Sequence, residues 1–309
     1  MTHIIINIDE NNINQRIDNF LKKKIKKIHK NTIYKILRKG NIRVNKKRVK
    51  PKYKLKNKDI VKITNIKFQN KTNKYIDKNI IKLEKSILYE DNYLIIINKP
   101  VGISVHGGSG INYGIIERIR LLRSKVKYLE LVHRLDKDTS GILIIAKKRS
   151  TLVSLHKQIR ELKVKKKYLT LVHGLWSKKI KKVDLPILKN KKNKGINLVK
   201  ISSLGKKSQT IFEIKKKYFN MTLLYAIPVT GRTHQIRIHT SHIGNPIIFD
   251  NKYGNKILDN KINIQNLRKK IILHAYSMKF IHPNTKSEFY IQAPLSIELK
   301  KYLKSLNNN

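Results

Sequence analysis

The sequence predicts an α+β protein with a small N-terminal module and a larger mixed domain. Near the N-terminus, apolar residues recur at helical spacing. Further along, short strands and helices mix without the regular βαβ alternation of a doubly wound sheet. At 309 residues and 40% hydrophobic content, the chain is long enough and apolar enough for two domains with real cores.

Residues 1–65 are predicted to form the N-terminal module. A second helix is predicted with Asn31 as its cap and Gly40 as its left-handed terminator. Alternation around Ile42 and Val44, a turn at 45–47 and apolar residues up to position 63 predict a small β unit. The first helix is indicated by five apolar residues at helical spacing: Ile17, Phe20, Leu21, Ile25 and Ile28.

Residues 66–85 lose this periodicity and are predicted to be a linker, and residues 86–309 to be the larger domain. Helices are predicted over 114–123, over 152–162 and from Pro294 to Leu306. A glycine-rich loop occupies 105–110, and the loop 133–141 joins two short strands. The strands are predicted over 87–90, 93–97, 129–132, 142–146, 168–172, 210–215 and 221–228.

The charge predicts a polyanionic partner. The chain has 70 Lys+Arg against 19 Asp+Glu, a formal net charge of +51, and nucleic acid is the usual partner of such a field. Part of this charge has a simpler explanation, because an AT-rich genome enriches any protein in Lys, Ile and Asn. An anionic membrane surface is the weaker alternative, since no amphipathic anchor accompanies the charge.

Several classes of protein are excluded by what the sequence lacks. Without cysteine there are no disulfides, thiolate metal sites, iron–sulfur clusters or Cys nucleophiles. No apolar run reaches the roughly 20 residues that cross a bilayer, and the N-terminus lacks the pattern of a signal peptide. We therefore expect a cytoplasmic monomer that needs no membrane, metal or small-molecule cofactor.

One carboxylate, Asp136, lies in the loop 133–141 (His-Arg-Leu-Asp-Lys-Asp-Thr-Ser-Gly) between two short apolar strands. Nearby basic residues favour its ionised form, as at a catalytic cleft. The alternative is simple turn chemistry, for which Asp-Thr-Ser-Gly is well suited and which could be the whole role of Asp138. The residues alone leave both interpretations open.

A second polar cluster occupies residues 230–239 (Thr-Gly-Arg-Thr-His-Gln-Ile-Arg-Ile-His). His234, His239 and His242 invite a metal interpretation, but with no acidic partner or cysteine nearby, a hydrogen-bonded or solvated role is favoured. Tyr168 opens a strand after three lysines, where a core position is the simpler interpretation.

Together these motifs resemble the RluA-type pseudouridine synthases. The resemblance rests on the Asp136 loop, the Lys-x-Tyr-Leu strand at 166–169, the 230–239 cluster and Leu273-His-Ala with His282-Pro downstream. Residues 15–21 and 36–45 resemble an S4-type RNA-binding domain. The resemblance covers about 14–304 and implies a mixed, mainly antiparallel catalytic domain of pseudouridine synthase type behind a small S4-like domain.

The resemblance also implies roles for particular residues. Asp136 becomes the essential catalytic carboxylate and Arg237 its partner. Tyr168 packs on the uracil ring and is a candidate for removing the C5 proton. Leu273 lines the other side of the pocket, and Arg134 contacts RNA around the extruded nucleotide. Whether Asp136 attacks C1′ or C6, or removes the C2′ proton, stays open.

Large-subunit (23S) ribosomal RNA, or its assembly precursor, is the partner that the resemblance implies. Residues 105–110 and 249–254 look most like the family members that act on this RNA. The alternatives are a synthase acting on tRNA and a non-catalytic RNA-binding assembly factor. A kinase is excluded because its Asp-Phe-Gly and Val-Ala-Ile-Lys elements are missing. The RNA-contacting residues predicted in the N-terminal domain are Arg16, Lys35, Arg38, Lys39, Arg43 and Asn45.

Overall fold

The computed structural model describes residues 3–25, 28, 30–64, 83–107, 113–191, 197–262 and 269–306. The chain divides into two compact units, one comprising 1–77 with 148–150 and the other 78–147 with 151–309. Most of the predicted linker, and the glycine-rich loop from position 108 onwards, lie outside the described residues.

The first unit packs two helices on a three-stranded antiparallel sheet of order β1-β3-β2. Its core contains Ile17, Phe20 and Leu21 from the first helix and Ile33 and Leu37 from the second. Burying one apolar face of each helix against the sheet is what their helical spacing predicts. The elements are β1 (His3–Asn7), α1 (Ile17–Lys24), α2 (Lys30–Lys39), β2 (Ile42–Val44) and β3 (Ile60–Thr64).

Local predictions for this unit have mixed outcomes. Gly40 follows α2 with a φ of 79°, and Asn45 and Lys46 form the predicted turn with φ of 49° and 66°. The cap assignment is wrong, because α2 begins at Lys30 and so contains Asn31. Strand β1 was not predicted.

The second unit contains one large sheet of order β4-β5-β7-β14-β8-β13-β12-β9, with β15 beside β14 and β6 beside β7. Among the described strands only β7 and β14 pair in parallel, so the mainly antiparallel prediction is confirmed. A separate antiparallel pair is formed by β10 (Ile187–Lys191) and β11 (Asn197–Ile201). The strands of the large sheet are β4 (Ile87–Glu90), β5 (Leu94–Lys99), β6 (Glu130–Leu131), β7 (Ser140–Ala146), β8 (Lys165–His173), β9 (Lys182–Asp184), β12 (Gln209–Lys217), β13 (Met221–Pro228), β14 (Leu273–Ile281) and β15 (Glu288–Gln292).

The sheet has a buried layer on each face. Along β8, Tyr168 and Val172 pack in one layer, whereas Leu169 and Leu171 pack in the other. The helices are α3 (Ile115–Leu122), α4 (Arg149–Arg160), α5 (Gln235–His242), α6 (Lys256–Asn260) and α7 (Ile297–Ser305). None of the helices in the described part of the chain has the length and apolar character needed to span a membrane.

The parallel pairing of β7 with β14 explains why position 141 is a glycine. It has a φ of 103°, and a Cβ built there would lie 2.3 Å from the carbonyl oxygen of Ala275. Only glycine permits both this backbone conformation and this close approach. The loop carrying Asp136 is therefore fixed at its C-terminal end to the strand that begins at Leu273.

The structure contains the strands that were predicted over 87–90, 93–97, 129–132, 142–146, 168–172, 210–215 and 221–228. Strands β9–β11, β14 and β15 were not predicted. The C-terminal helix begins later than predicted. Ser296, not Pro294, precedes its first turn, and the Ser296 hydroxyl accepts a hydrogen bond from the Leu299 N–H.

Candidate active site

Asp136 lies in the loop between β6 and β7, and its side chain is not used to build the turn. The turn is closed through the backbone, since the Thr139 N–H donates to the Asp136 carbonyl at 3.2 Å. The Asp136 side chain is 36% exposed. A carboxylate that the fold leaves accessible suits a chemical role better than a turn-forming one.

Lys99, at the end of β5, anchors this loop from inside. Its fully buried ammonium group donates to the carbonyl oxygens of Pro100, Ile103 and Lys137, each at 2.9 Å. Burial lowers the pKa of Lys99 to about 7, against the opposing charges of Asp138 and Asp136. Lys99 therefore ties the residue after Asp136 to the end of β5.

Arg237, on α5, connects Asp136 to a buried second carboxylate. Its Nη1 donates to Asp136 Oδ2 at 3.2 Å. Its Nε and Nη2 donate to the two oxygens of Asp250 at 2.7 and 2.6 Å. Burial alone would lower the pKa of Arg237, but its bonds to Asp250 and the charges of both carboxylates raise it. The guanidinium is thus a fixed cation aimed at Asp136.

No role was predicted for Asp250 from the sequence, although it lies in the segment 249–254 that resembles the family. Its side chain is fully buried and also accepts hydrogen bonds from the backbone N–H groups of Lys252 and Tyr253. Burial would raise the pKa of Asp250, but Arg237 and these N–H groups lower it. In the sequence, the available signal for this role was a single carboxylate, Asp250, followed by a tight turn.

Tyr168 and Leu273 lie on one face of the sheet. In the pairing of β8 with β14, Tyr168 is opposite Ala275, and Leu273 is two residues from Ala275. Both side chains belong to the cluster that includes Ile236. Burial raises the pKa of Tyr168, and the charge of Asp136 raises it further. The phenol therefore stays protonated at neutral pH, which suits ring packing better than action as a free base.

The histidines in and just after the two motifs each have a different environment. His133 Nε2 accepts the Ile144 N–H, and burial lowers its pKa to about 3. His239 is buried, with both ring nitrogens at hydrogen-bonding distance from Ser208 and Thr210. His242 is exposed, whereas His234 lies beside Asp136. Across the described ranges, no group of three or more His, Asp or Glu side chains is arranged to hold a metal ion.

Two of the predicted RNA-binding residues use their side chains within the first unit. Arg16 makes a two-bond ion pair with Asp18, at 3.1 and 2.6 Å. Asn45 donates to Asp59 Oδ1 at 2.8 Å and accepts the Ile60 N–H at 2.9 Å. Both contacts stabilise the unit itself, while Asn45 stays exposed and Arg16 is half-buried.

The other predicted RNA-binding residues are exposed. Lys35, Arg38 and Lys39 project from α2, and Arg43 from β2, while Arg134 is exposed two residues before Asp136. The first unit has a groove of about 820 Å³ beside α2. Its lining includes Tyr34, Lys35, Arg38, Arg48 and Lys50. An aromatic ring among cations is a suitable surface for an RNA strand.

Known proteins similar to this chain share both units. The family described as RNA pseudouridylate synthase matches residues 93–242, and the S4 domain family matches residues 15–61. The ribosomal large subunit pseudouridine synthase C of Buchnera aphidicola subsp. Schizaphis graminum is 52% identical over 98% of this chain and 97% of its own length. The protein of the same name from Haemophilus influenzae is 48% identical over 99% and 95%.

A solved structure supports the fold of the second unit. The human RNA pseudouridylate synthase domain-containing protein 4 has 25% sequence identity and a TM-score of 0.60. The similarity covers 74% of this chain and 95% of that one.

Proposed function

This chain belongs to the RNA pseudouridylate synthase family, and we propose that it isomerises specific uridines of large-subunit (23S) ribosomal RNA to pseudouridine, with Asp136 as the essential catalytic residue. The observation that most directly supports this proposal is the hydrogen bond from Arg237 to the accessible Asp136 carboxylate. Arg237 is itself held in place by hydrogen bonds to buried Asp250. The ion pair fixes the orientation of the carboxylate.

The reaction needs such a group. The N1–C1′ bond breaks, the uracil turns over, a C5–C1′ bond forms, C5 loses its proton and N1 gains one. Asp136 performs the first step by attack on C1′, by addition to C6 or by removal of the C2′ proton. Each route begins from an ionised carboxylate with a free lone pair.

The residues around Asp136 support a uracil pocket. Tyr168 packs against one side of the base and Leu273 lines the other, both on the face of the sheet next to α5. Exposed Arg134 contacts RNA beside the nucleotide. Extracting the base costs a few kcal/mol, which phosphate contacts from the basic surface offset.

The RNA partner follows from the S4 domain and from the relatives' names, which specify the large ribosomal subunit. Lys35, Arg38, Lys39 and Arg43 form its docking surface. The contacts of Arg16 with Asp18 and of Asn45 with Asp59 stabilise the domain that presents this surface. We assign the RNA-binding domain to residues 1–65, the linker to 66–85 and the catalytic domain to 86–309. The protein acts as a cytoplasmic monomer.

The test is Asp136→Asn, which keeps the size of the side chain and removes its charge. We expect pseudouridine formation to be abolished while RNA affinity changes less than about twofold, because the carboxylate acts on the nucleotide and carries little binding energy. Pseudouridines are mapped across rRNA and tRNA from cells with the wild-type protein, with the variant and without either.

Asp184→Asn is the matched control, since that carboxylate is half-exposed on β9 and pairs with Lys182 at 4.0 Å. Full activity of Asp136→Asn would refute the mechanism. Pseudouridine loss confined to tRNA would refute the substrate and leave the chemistry standing.

A further inference from the structure

A second side chain approaches Asp136 from the residue before α5. His234 Nε2 lies 3.5 Å from Asp136 Oδ2, the oxygen that also accepts from Arg237 Nη1 at 3.2 Å. The other oxygen, Oδ1, has no hydrogen-bond or ion-pair partner within the part of the chain that the structure describes. The two carboxylate oxygens therefore have different environments.

Tyr253 holds the His234 ring in this position. The Tyr253 hydroxyl lies 2.8 Å from His234 Nδ1, and the two rings meet edge to face with centroids 5.5 Å apart. His234 has a φ of 54°, in the left-handed region that L residues rarely adopt. The fold therefore maintains an unfavourable backbone conformation where the ring reaches Asp136.

These contacts favour one tautomer. With the proton on Nε2, the ring presents a donor 3.5 Å from the carboxylate oxygen, and Nδ1 accepts a hydrogen bond from the Tyr253 hydroxyl. The opposite tautomer would aim the Nε2 lone pair at an anionic oxygen, which is repulsive. The contacts therefore run from the Tyr253 hydroxyl through His234 to Asp136 Oδ2.

We propose that His234 is a positioning residue that, together with Arg237, holds Oδ2 of Asp136 as a double acceptor and leaves Oδ1 as the oxygen that reacts with the nucleotide. This inference rests on the proposed catalytic role of Asp136. It distinguishes the two oxygens and applies to all three routes.

The electron flow is the same in kind for each route. An Oδ1 lone pair bonds to C1′ while the N1–C1′ pair leaves with the uracil. Alternatively it bonds to C6 while the C5–C6 π pair becomes a C4–C5 π bond and the C4–O4 π pair moves onto O4. In the third route it takes the C2′ proton, the C2′–H pair becomes a C1′–C2′ π bond, and the N1–C1′ pair leaves with the uracil. In no route does Oδ2 form the new bond.

Burial and the charged groups facing His234 together determine the direction of its pKa shift. Burial lowers the pKa of His234 first, the charges of Arg237 and Lys252 lower it further, and Asp136 and Asp250 act in the opposite direction without reversing the shift. Tyr253 faces Nδ1 as a neutral phenol, because burial raises its pKa. A lowered pKa favours the neutral ring, so His234 approaches Asp136 as an uncharged donor.

Two amide substitutions separate the ring nitrogens of His234. In His234→Asn the amide occupies the place of Nδ1, tolerates the left-handed backbone and leaves the Nε2 position empty. In His234→Gln the longer side chain places its N–H near the Nε2 position. His242→Asn is the matched control, because that histidine is exposed at the far end of the same helix.

The measurement is single-turnover pseudouridine formation on protein-free 23S rRNA, with thermal unfolding and RNA affinity recorded for each variant. We expect His234→Asn to lower the rate about 10- to 100-fold at unchanged RNA affinity, as loss of one oriented donor does. His234→Gln should recover most of this loss, and His242→Asn should match the wild type. In His234→Asn the acidic limb of the rate–pH profile should move to higher pH, a change that a purely structural role would not produce.

A wild-type rate for His234→Asn, or equal losses in the Asn and Gln variants, would overturn the proposal. If the wild type itself makes no pseudouridine in rRNA, the proposed function is what fails. A crystal structure with a uridine-containing RNA provides the direct check. The oxygen lacking protein donors should face the ribose and base, and the opposite orientation would reject the assignment.

Discussion

The two units of this protein use charged side chains in opposite ways. In the second unit, one guanidinium is buried between two carboxylates, Asp136 and Asp250, and both of its ends are hydrogen-bonded. On α2 of the first unit, Lys35, Arg38 and Lys39 are exposed. All these cations contribute equally to the net charge of +51, although their surroundings differ.

The difference shows that position, not number, decides what a cation does. A buried ion pair is weak evidence of added stability, yet breaking it by removing one partner is strongly destabilising. Exposed lysines contribute little to folding, but they release counterions when they bind phosphate. We therefore expect substitutions in the site to change folding and chemistry, and substitutions on α2 to change RNA affinity alone.

The largest effect is expected for Asp250→Ala. It leaves Arg237 buried with only the partly exposed Asp136 as acceptor, so the free energy of unfolding should fall by about 3–5 kcal/mol. Urea unfolding of the purified protein measures this change. Asp184→Ala, at an exposed pair, should stay within about 0.5 kcal/mol of the wild type. Equal stability of the two variants would remove the contrast between buried and exposed charge.

Next in size is the joint change of Lys35, Arg38 and Lys39 to Gln. RNA affinity should fall about 10- to 100-fold at low salt, and the slope of log affinity against log salt should decrease by about 2–3. Titrations with labelled rRNA at several salt concentrations measure both quantities, and urea unfolding should be unchanged. If affinity and slope keep their wild-type values, the docking surface lies elsewhere.

A smaller effect is expected for the pH dependence of stability. The folded-state pKa of Asp250 lies below the ordinary 3.8, so its contribution is present above pH 3.8 and is lost as the pH falls through the folded value. Unfolding by urea between pH 6 and pH 3 should show wild-type stability falling at the acidic end. Asp250→Asn should fall less steeply there, and parallel curves would contradict the assigned shift.

The smallest effect is expected for Asn45→Gly in the first unit. Glycine accepts the φ of 49° at this position, so the substitution removes only the hydrogen bonds to Asp59 and Ile60. Stability should fall by about 1–2 kcal/mol, with RNA affinity of the folded protein nearly unchanged. A large affinity loss without destabilisation would instead make Asn45 a direct RNA contact.

Local patterns predicted most of the strands and helices because their apolar spacing reflects burial along a single element. The sequence could not place Asp250 beside Arg237, since the segment joining them follows no periodicity and the contact depends on tertiary structure. For His234 a hydrogen-bonded or solvated role was favoured over metal binding, but its partners could not be named, because its left-handed backbone is invisible in the sequence. Strands β14 and β15 were missed because Leu273 and its neighbours were recognised as a motif and not as an alternating pattern.

The ion pairs that join Asp136, Arg237 and Asp250 also determine when the site can form during synthesis of the chain. The chain is made from its N-terminus, so 114 residues separate synthesis of the first carboxylate from that of the second, 250 minus 136. At roughly 5–20 residues per second, this interval is on the order of ten seconds. For most of it the nascent protein carries its reactive acid without Arg237, and until its end without the buried Asp250 that holds Arg237, so the site cannot be assembled before residue 250 has been made.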